Sequence, residues 1–351
     1  MLIFSTILIP ADFNWLFMKS LLLTVVVLLA GCQSLSQSDD GSVTNNSESQ
    51  VDTAHPIEIN QALLADESID VIHPIADVDF SLNNTLKDQK AIDENNIWPR
   101  IRKQLTFDIP NQKRLISQRN WYVKHPSYLN RVAKRAEPFL YYIVQELEKN
   151  NMPIELAFLP IVESAFDPFA YSHGRASGMW QFVPGTGERF GMKQNWWYDG
   201  RRDVVASTEG AIKYLKYLHK FFDGDWMLAL AAYNSGEGRV RNAVRKNKRL
   251  GKATDFWSLD LPKETRAYVP KLLALADIVK RPEDFNLSLY SIDNKTVLSQ
   301  VDIKSQLDLA KAATLAGLSL AELQRLNPGF NRWATDPDGP HRLLLPSHSV
   351  E

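Results

Sequence analysis

The residue best suited to chemistry is Glu163. It closes an apolar run, Leu156-Ala157-Phe158-Leu159-Pro160-Ile161-Val162, and a loop rich in Gly, Ser and aromatics follows at once, all within residues 155–181. A carboxylate among such neighbours is poorly solvated, and desolvation penalises its charged form. Its pKa should rise, and an acid still protonated near neutral pH can donate a proton to a leaving group. The apolar run followed by a loop places Glu163 at the end of a helix, facing a cleft. The plainer alternative is a partly buried glutamate paired with an arginine, because carboxylates are seldom buried alone.

Several polar groups could share that cleft. Asp167-Pro168 is a turn and cap signal. Ser177-Gly178-Met179-Trp180-Gln181 combines a close backbone approach at Gly178 with the amide of Gln181. Asn195-Trp196-Trp197-Tyr198 is an aromatic cluster suited to packing or to stacking on sugar rings. Tyr233 and Asn234 fall at the end of an apolar helix, just before Gly236. Either could equally be a core tyrosine or a helix cap. His173 lies in a loop with no second His, Cys or carboxylate at metal-ligand spacing, so it reads as structural and no metal is expected. His219 reads as a core-edge residue.

Helices must position these groups. Ser127 predicts a helix start, with Leu129, Val132, Ala133 and Ala136 on one face. Pro138 suits the first turn of a second helix carrying Phe139, Leu140, Ile143, Val144 and Leu147. Asp203 opens a helix whose inner face is Ala211, Ile212, Leu215, Leu218, His219 and Phe222. Asp225 caps the next. Trp226 to Tyr233 are eight consecutive apolar or aromatic residues, so that helix should be buried on all sides. Glu264 to Pro270 open a further helix with Leu272, Leu273, Leu275, Ala276 and Val279 inward. No sustained strand alternation occurs before residue 290. The expected fold class is mainly α, with a helical catalytic domain over 97–285 and a small α+β module over 296–346.

Composition narrows the classes. The chain has 351 residues and a formal net charge of −1, which argues against a nucleic-acid partner. Nine Trp, 11 Tyr and 16 Phe supply a core and leave rings available for sugars. Cys32 is the single cysteine, so no intrachain disulfide can form. It follows Lys19, an apolar stretch from Leu21 to Leu29, and the small residues Ala30 and Gly31, the shape of a secretory signal. The apolar stretch is too short to span a membrane comfortably. Residues 33–96 are rich in Ser, Asn, Gln, Asp and Glu and read as a flexible acidic tether. Residues 1–17 read as an upstream start that is not used.

Four motifs stand in order: Glu163-Ser164, Gly178-Met179-Trp180-Gln181, Ala232-Tyr233-Asn234-Ser235-Gly236 and Glu264-Thr265-Arg266-Ala267-Tyr268. Together they resemble the family 1 lytic transglycosylase domain, which is similar to goose-type lysozyme. The resemblance covers roughly residues 97–285. Many members have Gly-Leu-Met-Gln where this chain has Gly178-Met179-Trp180-Gln181. The resemblance implies a lysozyme-like fold and cleavage of the β-1,4 bond between N-acetylmuramic acid and N-acetylglucosamine in peptidoglycan. It implies Glu163 as sole general acid and base, yielding a 1,6-anhydro product without any cofactor. It also implies that Ser164, Gly178, Met179, Gln181, Tyr233, Asn234 and Tyr268 position Glu163 or the sugar. Two-carboxylate glycosidases need a second acid at a set separation, and none appears in the apolar part of the motif. A hydrolase of goose-lysozyme type and a non-catalytic peptidoglycan-binding lipoprotein are the alternatives; the retained Glu163 speaks against the latter.

The segment Leu29-Ala30-Gly31-Cys32 resembles a bacterial lipobox. This implies acylation of Cys32 and a lipid anchor on the membrane, and Gln33 leans toward the periplasmic face of the outer membrane in Gram-negative bacteria. At the other end, Thr296–Val301 and Arg342–Pro346 read as strands. Leu307–Ala310 and Ser319–Leu323 read as helices, with a turn at Leu326-Asn327-Pro328-Gly329 between the second helix and the second strand. This order resembles a lysin motif, a peptidoglycan-binding module, in degenerate form. The usual Gly-Asp-Thr-Leu opening is replaced by Lys304-Ser305-Gln306-Leu307, and Trp333 to Pro337 lengthen a turn. Glycan binding and a structural role against the catalytic domain both stay open for it.

Overall fold

The computed structural model describes residues 95–350. The signal, Cys32 and nearly all of the tether lie outside the described residues. Helix α1 (Ile97–Arg102) opens on Asn96, whose side chain accepts the Trp98 N–H at 3.2 Å. Its start is fastened to a later part of the chain: Ile97 N–H donates to Ile292 O (2.9 Å) and Trp98 Nε1–H to Tyr290 O (2.8 Å). Helices α2 (Lys113–Lys124), α3 (Pro126–Ala136) and α4 (Leu140–Lys149) follow. Ser127 does not cap α3. Pro126 takes the first helical position behind His125, and no side chain caps that end. Proline there needs no cap donor bond and is preset for the helix.

A short 3₁₀ turn (Ile154–Phe158) runs into α5 (Leu159–Ser164), which carries Glu163 in its last turn. After α6 (Pro184–Arg189), Asp203 caps α7 (Val204–Phe221) by accepting Ala206 N–H at 2.8 Å. Asp225 caps α8 (Trp226–Ser235) by accepting Leu228 N–H at 3.0 Å. Helices α9 (Glu237–Arg249) and α10 (Lys263–Lys280) complete the helical domain. Helix α8 packs against α7, α9 and α10, and Leu228 to Ala232 are all buried. Each buried Leu contributes roughly 2 kcal/mol. Tertiary burial therefore fixes α8 more firmly than helix propensity does.

The carboxyl-terminal module is β1 (Leu298–Asp302), α11 (Leu309–Leu315), α12 (Leu320–Leu326) and β2 (Arg342–Pro346). The strands pair antiparallel, Leu298 opposite Pro346 and Asp302 opposite Arg342. The sequence reading placed β2 correctly and β1 and both helices a few residues early. Leu343 and Leu345 point into a small core with Leu309, Ala312, Ala313 and Leu323. Leu344, on the opposite face of β2, packs with Leu326 onto the main core. The module therefore shares apolar surface with the helical domain.

Polar contacts complete that junction. Asp199 N–H donates to Gly329 O and Asn331 N–H to Trp197 O, both at 2.8 Å. A Cβ on Gly329 would stand 2.8 Å from the Tyr198 ring, so only glycine admits this approach. Asp336, fully buried, receives Lys193 Nζ at 2.8 Å and Asn195 Nδ2 at 2.7 Å. Arg342 meets Asp203 at 3.1 Å. Of the two readings of Trp197 and Tyr198, the structure uses both residues in this junction. Trp196 and Trp333 stay 53% and 63% exposed beside it.

Candidate active site

The chain turns sharply after α5 because Ala165 (φ 51) and Phe166 (φ 60) both adopt the left-handed conformation. Phe166 N–H reaches back to Pro160 O at 3.0 Å and Ala165 N–H to Ile161 O at 3.1 Å, closing the helix. Two adjacent non-glycine residues in that region cost about 1–3 kcal/mol each, and such strain clusters at functional sites. Here it ends the helix one residue beyond Glu163 and releases the loop that follows.

Glu163 is half-buried. Desolvation pushes its carboxyl up to about 8. The hydrogen bond from Tyr268 opposes that shift, Glu264 adds to it by like charge, and Lys271 opposes it. Tyr268, buried on α10, donates its hydroxyl to Glu163 Oε1. Burial, with Glu163 close by, pushes the Tyr268 hydroxyl well above the usual tyrosine range. Both groups are thus neutral at pH 7, and the tyrosine orients the acid without stripping its proton. The alternative of an arginine-clamped Glu163 does not hold; no ion pair to it occurs among the described residues.

The loop is built from within. Ser164 Oγ donates to Met179 O (3.0 Å), and Asp167 N–H donates to Ser164 Oγ (3.2 Å). Gly178 lies so close to Arg201 that a Cβ would sit 2.0 Å from Arg201 O. Arg201 itself is buried, donating to Arg175 O (2.7 Å) and Phe182 O (3.1 Å) and paired with Asp199 at 2.7 Å. Trp180 is fully buried and donates to Thr208 Oγ1 at 3.1 Å. Tyr233 donates to Trp180 O at 2.8 Å, tying α8 to the loop. Gln181, at φ 49, donates to Gly178 O at 2.7 Å. Phe169 and Tyr171 stand 47% and 65% exposed on the same loop.

Two of the residues expected to position Glu163 or the sugar lie in the interior. Met179 is fully buried, and it contributes a backbone carbonyl to Ser164 rather than a surface to a ligand. Tyr268 is buried and contacts the acid, the first of the two roles expected for it. Asn234 accepts Thr265 Oγ1–H at 2.8 Å and donates to Glu264 Oε1 at 3.3 Å, joining α8 to α10.

Glu264 opens the last of the four motifs without an assigned role, and Lys271 lies outside them. With Tyr268 they occupy positions i, i+4 and i+7 of α10, one helix face. That spacing was the available signal. Desolvation lowers the pKa of Lys271, while Glu264 and then Glu163 raise it. Glu155 was also passed over. It is fully buried, and Oε1 accepts the N–H groups of Thr106 and Phe107, the latter at 2.6 Å. Its place inside a 3₁₀ turn gave no periodic signal. No cluster of His, Cys, Asp and Glu that could hold a metal occurs among the described residues.

A helical domain presenting one glutamic acid with a raised pKa beside a tyrosine hydroxyl and a loop with exposed rings can donate a proton to a leaving group. The model of the transglycosylase SLT domain matches residues 141–256, and that of the LysM-like domain of lytic transglycosylase MltD matches residues 297–351. The chain thus carries a region similar to the transglycosylase SLT domain followed by one similar to the LysM-like domain of MltD. Membrane-bound lytic murein transglycosylase D of Escherichia coli K12 is 45% identical over 258 residues, 74% of this chain and 57% of that protein. A putative tributyltin chloride resistance protein of Alteromonas sp. strain M-1 is 44% identical over 164 residues, 46% of this chain and 79% of that protein. Among solved structures, an inactive mutant of lytic transglycosylase Slt from Pseudomonas aeruginosa aligns with TM-score 0.35 and 25% identity, covering 56% of this chain and 33% of that one. The chain spans a little over half the length of its transglycosylase D relative.

Proposed function

We propose that this protein is a lytic murein transglycosylase acting on the β-1,4 bond between N-acetylmuramic acid and N-acetylglucosamine. The observation that carries the reading is Glu163, an acid that holds its proton up to about pH 8 while a tyrosine hydroxyl fixes its orientation. Glu163 gives its proton to the bridging oxygen, and the bond from that oxygen to C1 of the muramoyl sugar breaks. The resulting carboxylate takes the proton of the muramoyl C6 hydroxyl, whose oxygen bonds to C1. The acid is regenerated, water is not consumed, and the product ends in a 1,6-anhydro ring. Tyr268 supplies positioning, and Ser164, Gln181, Tyr233 and Asn234 hold the loop and helices in register. Exposed Phe169 and Tyr171 suit stacking on sugar rings.

A second reading, hydrolysis of the same bond, draws on one observation: Glu264 couples electrostatically to Glu163, as a second carboxylate would. Digestion of purified sacculi separates the two. Transglycosylation leaves ends lighter by one water than hydrolysis does. Reducing ends only, from the wild type, would sink the transglycosylase. A fully active Glu163→Gln variant would sink both.

The relative's name describes a membrane-bound protein. No helix among the described residues is long and apolar enough to cross a membrane. The reading that fits is a lipid anchor on Cys32, holding the enzyme at the periplasmic face of the outer membrane. Burial of acyl CH₂ groups supplies the attachment. Peptidoglycan strands would be its polymeric partner.

A further inference from the structure

At the far end of α8 from Tyr233 lies a second concavity of about 460 Å³. The seven residue-to-residue steps from Trp226 to Tyr233 separate the two ends by about 10 Å. The volume falls within the ~300–1,000 Å³ typical of small-ligand sites. The cleft shares no lining residue with the site around Glu163. One wall is aromatic: His219 stacks on Trp226, centroids 4.0 Å apart and planes 18° from parallel. The rim is polar, with Thr106, Asn150, Asn151 and Lys216.

Four of these groups keep free hydrogen-bonding capacity. The Thr106 hydroxyl, the Asn151 amide, the Trp226 indole N–H and the His219 ring have no hydrogen-bond partner among the described residues. The rest of the rim is held in place. Lys216 Nζ donates to Asn150 Oδ1 at 2.7 Å. Asn150 Nδ2 donates to Glu146 O at 2.9 Å. Beneath Thr106, buried Glu155 grips the backbone of residues 106 and 107, and its Oε2 is a buried oxygen without a partner among the described residues. A fixed ring of neutral donors and acceptors around an aromatic wall matches a sugar unit, which offers an apolar C–H face and a circle of hydroxyl and acetamido groups. Among the described residues Lys216 is the single lysine or arginine lining the cleft, too little positive charge for a nucleic acid.

We propose that this cleft binds a second segment of glycan, an N-acetylated amino-sugar chain, apart from the reacting acid. It would keep the enzyme on the polymer between cleavage events. The proposal rests on the reading that the protein acts on glycan strands. The test uses the full chain carrying Glu163→Gln, so that the probe is not consumed, titrated calorimetrically with the tetramer of N-acetylglucosamine. Two binding events are expected. Adding Thr106→Val with Asn151→Gly should remove one of them and weaken retention on sacculi about fivefold, the loss expected for two modest hydrogen bonds. Glycine tolerates the left-handed backbone at residue 151 (φ 52). Trp226→Phe keeps one aromatic ring but removes the N–H-bearing five-membered ring of the wall, and should shift the same event in the same direction. In the Glu163 background these variants should cleave short soluble fragments at the wild-type rate. A single binding event untouched by all three substitutions overturns the proposal. So does a cleft that binds isolated stem peptides and not the sugar tetramer. Should Glu163→Gln digest sacculi as well as wild type, the catalytic reading falls, while the titration still decides the cleft.

Discussion

Helix α10 meets two desolvated carboxylates in opposite ways, half-buried Glu163 and buried Asp277. Near its start, Glu163 meets the neutral hydroxyl of Tyr268, and desolvation prevails, raising the acid to about 8. Near its end, Asp277 is only 1% exposed, and desolvation pushes it up as well. There two guanidiniums win. Arg119 reaches Oδ2 at 2.7 Å and Arg281 reaches Oδ1 at 2.7 Å, and together they hold Asp277 below the usual range. Both arginines also lie over the Phe285 ring, at 5.1 and 5.2 Å. Burial alone does not decide what a carboxylate does. The charge of its partner does: a neutral donor leaves an acid with a proton to give, and a cation makes a structural anchor.

Glu163→Gln breaks the first arm of the contrast. Loss of general acid catalysis should lower kcat on sacculi by roughly 10²–10⁴, measured by muropeptide release. The same variant reports on stability. A raised folded pKa means that Glu163 contributes its stability below its ordinary value of 4.5, and the contribution is lost as pH rises through about 8. Urea midpoints followed from pH 4 to pH 9 should therefore fall for wild type by an amount of order 3 kcal/mol relative to Glu163→Gln. Equal pH dependence in the two proteins would remove the desolvated acid from the account.

Arg119→Met attacks the other arm. It strands part of a buried negative charge and should cost about 3 kcal/mol, read from urea unfolding at pH 7. Asp277 is depressed, so its contribution is present above 3.8 and is lost as pH falls through its folded value. The variant should shrink that acid-side loss.

Tyr268→Phe sharpens the comparison by removing the donor that lowers the Glu163 pKa. The alkaline limb of kcat/KM should move upward by about one pH unit, worth about 1.4 kcal/mol. An unmoved limb would mean that the tyrosine does not act on the acid. The smallest effect belongs to the module junction. Arg342→Met removes a partly exposed pair with Asp203 and should cost about 1 kcal/mol in thermal unfolding.

The helical class, the placement of Glu163 at a helix end, and the caps at Asp203 and Asp225 were all readable from the chain. Each rests on local rules of spacing and capping that act over a few residues. The start of α3 was misread because Pro126, not a hydroxyl cap, sets it. For Tyr268 the motif left open whether it positions the acid or the sugar, and packing brings it to Glu163; Met179 is fully buried. A linear pattern carries no information about which side of a loop faces solvent. The docking of the β1–β2 module was open in the sequence, since Asp336, Gly329 and Arg342 find partners more than 100 residues away.

The sequence by itself determined that an acid would stand in apolar company at the end of a helix, because hydrophobic runs and their interruptions are local. Only the tertiary structure decided which partner each buried carboxylate received. Tyr268 and Glu163 are 105 positions apart, Arg119 and Asp277 are 158 apart, and contacts at such separations exist only after the helices pack.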